Sequence, residues 1–311
     1  DVDWQTNTAY DVSGQGNHGA ITNMATATAP VPGVEGQGLE FDGADDYVAI
    51  SNFQFPISNQ FSISQWINFQ TLAAAKPIIS QWGGSQNNIL IKTDDSDPRE
   101  IRICVASGLT DDCTNYGYTT DADLAANDWQ NLQIIYDGTQ STNASKLSFY
   151  INGFQKALDF SGSIPANIQT SSTKALEIAG NSDLSSYSAA AADETRIYNR
   201  ALSQAEIDEL YRIGSRKMQV NSQAPEFPDL QTGLVGEWTF DGTEMDWGSS
   251  TAEALDASGN GRHGNAVAGA RGGPGQQGQG LVFDGTDDYL DLGNVYDGVQ
   301  TVSFWVRAAD T

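Results

Sequence analysis

The sequence predicts an all-β protein, an antiparallel sandwich of two sheets with one short helix. Apolar and polar residues alternate with period two along several segments, among them residues 61–69 and 146–154. Asp-Gly and Asn-Gly pairs, which supply the positive φ angles of tight hairpins, follow such segments at Asp137-Gly138 and Asn152-Gly153. Alternation interrupted by hairpin turns is typical of a sandwich.

The clearest predicted strand covers residues 61–69. Its odd positions Phe61, Ile63, Ile67 and Phe69 share one face, and Trp66 lies on the other. Two later segments alternate in the same way. They place Leu132, Ile134 and Tyr136, and then Leu147, Phe149 and Ile151, on one face. These faces predict one core between two sheets.

One helix is predicted near residue 203. Ser203 and Glu206 have the spacing of a capping box, in which each side chain bonds the other residue's backbone amide. Gly214 is predicted to end the helix. Residues 215–232 are polar and contain Pro225 and Pro228, so they predict a semi-extended linker between domains.

Three blocks of sequence occur twice in the same order, which indicates a tandem duplication. The pairs are residues 11–19 and 256–264, residues 36–48 and 278–290, and residues 61–67 and 300–306. We therefore predict three parts. They are a first domain at residues 1–214, the linker at 215–232, and the N-terminal part of a second domain at 233–311.

The second copy opens with GLVGEWTFDG at residues 233–242, and the first copy has no counterpart of it. We expect the first domain to lack its opening strand. Either the chain is a fragment of a longer array, or residues 234–240 complete a first-type domain by strand addition beside residues 195–198. Such addition between molecules would cause self-association into filaments.

The chain is strongly acidic. Its 40 Asp and Glu residues against 15 Lys and Arg residues give a formal net charge of −25. This charge repels phosphate backbones and anionic lipid, which argues against nucleic-acid and membrane-surface partners. It suits a secreted protein, and its carboxylates suit calcium. No apolar run is long enough to insert into a membrane.

The two cysteines, Cys104 and Cys113, are nine positions apart. We expect a disulfide that closes a hairpin loop. The alternative is one half-buried thiol and one exposed thiol. Without neighbouring histidines the pair does not make a metal site.

No catalytic motif is convincing. Residues 40–45 resemble the spaced carboxylates of glycosidases, but the run lacks a terminal glutamate, and Val282 replaces Glu40 in the second copy. His18 and His263 occupy the same position in the two copies, and each imidazole is predicted to hydrogen-bond a turn. The sequence therefore predicts that the protein is not an enzyme.

Four aromatic residues lie in loop-like, polar contexts and are candidates for ligand binding: Trp82, Tyr116, Tyr118 and Tyr187. Sugar sites need exposed aromatic rings beside polar groups. Ordinary packing is the alternative for each ring.

The ordered blocks resemble the laminin-G-like jelly-roll domains of the concanavalin A-like lectin/glucanase superfamily, in the tandem form of bacterial surface or secreted proteins. The blocks are GLVGEWTFDG, DxSGxGxHG, GQGLxFDGxDDYV, the SxSxWI strand, DWQNLQIIYDG, KLSFYINGF and DETRIYNRALSQAEIDELY. The resemblance covers most of the first copy and the leading third of the second. It implies a two-sheet jelly roll and leaves function open.

The resemblance also implies a structural calcium ion that joins the first strand region to the last strand. The matching positions are Asp11 and Asp193, with Asp241 and Asp256 as their counterparts in the second copy. The alternative is that these aspartates bond their own turns.

The expected function is a non-catalytic adhesion or structural module, extracellular or at the cell surface, within a larger surface protein or filament. Its partner would be a glycan or a protein at a cell surface or in a matrix. A carbohydrate-binding lectin-like module is the alternative, and a glycoside hydrolase is a distant one.

Overall fold

The structure, a computed structural model, describes residues 2–55, 59–108, 110, 112–169, 172–222, 233–241, 244–275, 278–295 and 299–308. Two large antiparallel sheets dominate it, as predicted. Ten strands form the first sheet, in the spatial order β1 (Val2–Asp3), β2 (Thr8–Ala9), β3 (Gly19–Thr22), β6 (Tyr47–Ile50), β16 (Leu176–Ile178), β8 (Pro77–Gln81), β9 (Ile89–Thr93), β10 (Ile101–Val105), β11 (Tyr116–Tyr118) and β15 (Asp159–Ser161).

Seven strands form the second sheet, in the order β14 (Phe154–Lys156), β13 (Leu147–Ile151), β12 (Trp129–Asp137), β7 (Gln60–Phe69), β19 (Ala189–Tyr198), β5 (Gln37–Asp42) and β4 (Pro30–Pro32). Three pairs of short strands complete the β structure: β17 (Gly180–Asn181) with β18 (Ser186–Tyr187), β20 (Asn265–Val267) with β23 (Tyr289–Asp291), and β21 (Arg271–Pro274) with β22 (Gln279–Val282). The helices are α1 (Asn143–Lys146), α2 (Gln204–Ser222) and a 3-10 turn at Ser182–Leu184.

The main core lies between the two large sheets. Strand β7 pairs with β12 in a register that sets Ile63 beside Ile134, and both side chains are buried. All the apolar positions predicted to share a strand face belong to this core: Phe61, Ile63, Ile67, Phe69, Leu132, Ile134, Tyr136, Leu147, Phe149 and Ile151. Period-two alternation therefore identified the inward face correctly.

Helix α2 covers the outer face of the second sheet. The ring of Tyr211 stacks on Trp66 with centroids 5.8 Å apart. At the start of the helix, Glu206 accepts the backbone N–H of Ser203 at 2.9 Å, which is the glutamate half of the predicted capping box.

The prediction that Gly214 ends helix α2 is wrong, because the helix continues to Ser222. A β-carbon at Gly214 would lie 2.5 Å from Nε1 of Trp66, so glycine is required there by the close approach of the helix to the indole. Residues 215–222 are therefore helical, and residues 223–232 of the predicted linker lie outside the described residues.

Two loops of similar sequence, residues 11–19 and 256–264, have the same hydrogen bonds. The backbone N–H of Asp11 donates to Nδ1 of His18 at 3.0 Å, and that of Asp256 donates to Nδ1 of His263 at 3.1 Å. Both histidines bond a turn, as the sequence predicts.

The C-terminal part packs against the N-terminal edge of the first sheet. Nε2 of Gln279 donates to the carbonyl oxygen of Val2 at 3.3 Å, and Trp247 packs on the cluster that contains Val2 and Trp4. Two predicted strands are not formed here. Residues 234–240 are irregular, and residues 300–306 leave Trp305 82% exposed. A strand needs a neighbour for its backbone groups, and no described strand pairs with either segment.

Candidate functional site

The outer face of the first sheet carries the best candidate site. A β-carbon on Gly117 would meet Leu147, a core residue, at 2.9 Å, so this glycine faces inward. Its neighbours Tyr116 and Tyr118 therefore point outward, because successive side chains alternate. On β10 and β9 the isoleucines and Val105 belong to the core. The side chains that alternate with them therefore lie on the outer face. We call this set, with the two tyrosines, the aromatic face: Leu90, Lys92, Arg102, Cys104, Tyr116 and Tyr118.

The strand register arranges the aromatic face in two rows. One row runs Lys92, Arg102, Tyr118 and Asp159, and the other runs Leu90, Cys104, Tyr116 and Ser161. Adjacent strands lie about 4.8 Å apart, so four strands give a face roughly 15 Å long. The sequence does not show this surface, because it joins residues from four separate segments.

The two tyrosine rings lie side by side, with centroids 5.7 Å apart, and both are half-buried. The guanidinium of Arg102 lies 4.3 Å from the ring centroid of Tyr116, within cation–π range. Asp94 holds the guanidinium at 2.9 Å, and Asp95 also pairs with it. The tyrosines are thus kept in a fixed arrangement by charged neighbours.

The carboxylates of Asp94 and Asp95 are both ion-paired with Arg102. Burial raises the pKa of Asp94, but hydrogen bonds from Ser96 and the charge of Arg102 outweigh it and hold the pKa below its ordinary value. A general acid needs the opposite shift. Asp94 is therefore suited to orienting Arg102 rather than to donating a proton.

The disulfide between Cys104 and Cys113, whose Cα atoms are 5.3 Å apart, lies on the aromatic face, because Cys104 belongs to it. Cys104 is fully buried and packs with Trp82 and Leu90. The expectation that Trp82 is an exposed loop aromatic is wrong, since only 6% of the residue is exposed. Its ring packs on the outer side of the sheet, against Leu90 and Cys104. Tyr116 and Tyr118 also lie on a strand rather than in a loop.

A cleft of about 230 Å³ adjoins the aromatic face at Leu90 and Lys92. The remaining lining residues are Ala75, Pro77, Asn181, Leu184 and Ser186. Oδ1 of Asn181 accepts the backbone N–H of Leu184 at 3.2 Å. Nδ2 of the same amide has no hydrogen-bond partner within the part of the chain that the structure describes.

Tyr187 lies elsewhere, in a second cleft of about 240 Å³ that it lines together with Asp42, Lys76 and Thr93. Its ring packs against Tyr47 with centroids 5.9 Å apart. The structure therefore brings Tyr116, Tyr118 and the supporting Trp82 together, and it separates Tyr187 from them.

Asp11 and Asp256, two of the predicted calcium ligands, accept hydrogen bonds from their own turns. Asp11 accepts the backbone N–H groups of Ser13 and Asn17, each at 2.8 Å. Asp256 accepts that of Ser258 at 2.9 Å. Burial opposes ionisation of Asp256, but its hydrogen bonds prevail and lower its pKa to about 2.

Asp193 and Asp241 each bind a glycine-rich turn. Asp193 accepts the N–H of Glu35 at 3.0 Å and that of Glu194 at 2.8 Å, while Asp241 accepts that of Gln279 at 2.5 Å. Burial raises the pKa of Asp193 to about 7, which favours its protonated form. These backbone N–H groups point at the carboxylate oxygens of Asp193 and Asp241, as they do when an aspartate caps a turn. A cation at the same oxygens would have to replace these hydrogen bonds.

Two other acidic groups bring three carboxylates within 4.8 Å of one another. One is Asp42, Asp45 and Asp46, and the other is Asp284, Asp287 and Asp288. Oδ1 of Asp42 accepts the N–H of Ala44 at 2.7 Å, so this aspartate caps its own turn. Among the described residues, none of the four predicted calcium ligands belongs to a group of this kind.

Comparison with known families places this site in context. The concanavalin A-like lectin/glucanases superfamily, through its laminin-G-like family, matches residues 42–208, more than half of the chain. The chain therefore belongs to this superfamily. A search of curated proteins found no match.

Several solved structures are similar in fold. The receptor-binding domain of botulinum neurotoxin C/D mosaic serotype is 14% identical, with a TM-score of 0.48 and coverage of 65% of this chain and 48% of its own. Trypanosoma rangeli sialidase is 12% identical, with a TM-score of 0.46 and coverage of 68% and 32%. Domain 4 of AbnA, a GH43 extracellular arabinanase from Geobacillus stearothermophilus solved with arabinotriose, is 18% identical, with a TM-score of 0.40 and coverage of 62% and 87%. The chain thus spans about half the length of the neurotoxin domain.

Sequence reasoning missed Lys92, Arg102 and Asn181. Arg102 had a usable signal, because it sits between Ile101 and Ile103 and must therefore face outward. Asn181 had none, since its position depends on packing against distant strands. No described helix has both the length and the apolar character that a membrane crossing requires.

Proposed function

We propose that this chain is a non-catalytic, extracellular glycan-binding module that serves adhesion within a larger surface protein. The observation that carries the proposal is the pair of outward, half-buried tyrosines, Tyr116 and Tyr118, beside Arg102 on the outer face of the first sheet. Aromatic rings offer flat apolar area to the C–H face of a sugar, and neighbouring charged groups bond its hydroxyls. The superfamily, which includes lectins by its description, is consistent with this role.

The extracellular assignment is supported by the disulfide between Cys104 and Cys113 and by the strongly acidic chain. Disulfides persist in oxidising compartments. The charge also favours neutral or cationic partners over anionic ones.

The non-catalytic assignment is supported by the carboxylates near the aromatic face. Asp94 and Asp95 are ion-paired with Arg102, and Lys92 pairs with Asp95 at 2.5 Å. Carboxyl pKa values raised by burial occur at Asp46, Asp193 and Asp241, none of which lies on this face. Release of reducing ends from soluble glucans would contradict the assignment.

A structural calcium ion is not part of the proposal. The carboxylates of Asp11, Asp193, Asp241 and Asp256 accept hydrogen bonds from backbone N–H groups, and the described residues do not bring them together as one ligand set. Calcium binding stays a prediction for the chelator experiment given below.

The test is a glycan array with the whole chain, followed by calorimetric titration of the best ligand against variants. Tyr118→Ala should weaken binding about tenfold through loss of ring contact. Phe154→Ala is the matched control, because Phe154 is an exposed aromatic residue on the opposite sheet, 73% accessible. Equal affinities for the two variants would show that the glycan does not use the aromatic face.

A further inference from the structure

The outer face of the first sheet carries a carboxylate that the protein leaves unpaired. Asp159 on β15 lies directly opposite Tyr118 on β11 in the strand register. Residues directly opposite each other on antiparallel strands point to the same side of the sheet, with Cβ atoms about 4.5–5.5 Å apart. Phe160, the next residue, packs against the main core, so Asp159 points outward. Asp159 is exposed, and within the described residues its carboxylate has no hydrogen-bond or ion-pair partner.

The neighbouring tyrosine shows which kind of group suits such a place. The guanidinium of Arg102 lies 4.3 Å from the ring centroid of Tyr116, and Asp94 holds it at 2.9 Å. A cation is thus bound by an aromatic ring and a carboxylate together. Tyr118 and Asp159 form a second combination of ring and carboxylate. In the described part of the chain, however, no cation lies over the ring of Tyr118.

The charges around the two tyrosines leave this carboxylate uncompensated. Lys92 pairs with Asp95, and Arg102 pairs with both Asp94 and Asp95, so the charges of these four residues cancel. What remains on the aromatic face is the negative charge of Asp159. The whole chain adds a formal net charge of −25, which attracts cations and repels anions.

Lys156, which precedes Asp159 by three residues, is directed elsewhere. Its Nζ donates to the carbonyl oxygen of Asp121 at 2.7 Å, and the carboxylate of Asp121 is itself exposed. An anionic sugar is therefore disfavoured on this face, and a neutral sugar gains nothing from the charge. A sugar that carries a cation gains from both the ring and the carboxylate.

We propose that Tyr118 and Asp159 bind the ammonium group of an amino sugar that is not acetylated, as in oligomers of glucosamine. The ammonium lies over the ring of Tyr118 and pairs with the carboxylate of Asp159, and the sugar chain runs along the aromatic face. This inference rests on the proposed function and names the class of glycan that the aromatic face selects.

The experiment compares deacetylated chitotriose with cellotriose, a neutral trisaccharide of the same linkage, by calorimetry with the whole chain. The buffer is mildly acidic, so that the amino groups of the sugar carry their protons. An exposed cation–π contact and an exposed ion pair together should favour the charged sugar about tenfold. Added salt should reduce this preference, because exposed charges are screened. Tri-N-acetylchitotriose, which has no charge, should bind like cellotriose.

Two variants of matched chemistry test the ion pair. Asp159→Asn keeps the shape of the side chain and removes its charge, so the ratio of the affinities for deacetylated chitotriose and cellotriose should fall about fivefold. Asp208→Asn makes the same change at an exposed residue of helix α2, which covers the other sheet, and should leave this ratio unaltered. Tyr118→Ala should weaken the binding of both sugars.

The outcomes separate the two proposals. If both sugars bind equally to the unchanged chain, and Tyr118→Ala weakens both, the glycan-binding function stands and the amino-sugar assignment is overturned. A preference that persists in Asp159→Asn, or that falls equally in Asp208→Asn, also overturns it. Competition by trilysine at the same concentration as deacetylated chitotriose would show a site for any cation and overturn the sugar assignment. If no sugar binds any variant and the array is empty, the proposed function fails as well.

Discussion

Replacing Gly214 by alanine sets two physical effects against each other in helix α2. In a helix interior, alanine is favoured over glycine by about 0.8–1.0 kcal/mol because it loses less backbone freedom. Here, however, the new β-carbon would lie 2.5 Å from Nε1 and 2.6 Å from both Cε2 and Cζ2 of Trp66. Favourable carbon contacts are about 3.5–4.0 Å, so three contacts would be short by about 1 Å.

The indole of Trp66 cannot easily move away. It is 1% exposed, stacks on Tyr211, and belongs to strand β7, which pairs with Asn131 on one side and Asp193 on the other. Overpacking of this kind costs about 1–3 kcal/mol. After the gain in helix propensity, we expect Gly214→Ala to lower the free energy of unfolding by about 1–2 kcal/mol.

Urea denaturation of four proteins measures this effect: the unchanged chain, Gly214→Ala, Trp66→Phe and the double variant. The phenyl ring is smaller than the indole and has no counterpart of Cζ2, one of the three atoms that the β-carbon would meet, so in that background the alanine should cost less, with a coupling energy of about 1 kcal/mol. Ser215→Ala, the next residue of the helix, should change stability little. If Gly214→Ala raises the stability of the unchanged chain by the full propensity gain, the helix does not lie on Trp66 and the reasoning is refuted.

Three further outcomes are expected. Cys104 and Cys113 are separated by 9 positions, so removing their disulfide should lower the free energy of unfolding by about 2.6 kcal/mol in the chain-entropy model. Denatured, unreduced protein should show no reactive thiol, and two reactive thiols would disprove the bond. Because burial raises the pKa of Asp193 from 3.8 to about 7, its contribution to stability is complete below pH 3.8 and is lost as the pH rises through 7. Asp193→Asn should therefore flatten the fall in unfolding free energy between pH 4 and 7, and an unaltered slope would assign that fall to other groups. If a calcium ion binds the folded chain at the predicted aspartates, excess chelator should lower the Tm by several degrees, and an unchanged Tm would rule the site out.

Much of the sheet structure follows from the sequence, because a strand exposes its two faces alternately whatever it packs on. Phe61, Ile63 and Ile67 could be assigned to one buried face without knowing their partners. The hydrogen bonds of His18 and His263 could also be predicted, because both loops are short and each imidazole accepts from the backbone of its own loop.

Only part of the candidate site could be predicted, because it depends on packing between segments that are distant in the sequence. Tyr116 and Tyr118 were singled out as aromatic residues in a polar context, but so was Trp82, which packs against Leu90 and Cys104 and is itself buried. Exposure depends on what packs above and below a residue, and a single sequence does not report it.

By itself, the sequence determined the class of fold, the inward strand faces and the glutamate at the start of helix α2, because these depend on neighbours a few positions away. Only the tertiary structure decided that Gly214 lies inside the helix and that Asn181 and Leu90 line one cleft. These features depend on strand register and on how elements distant in the chain approach one another, which local alternation does not specify.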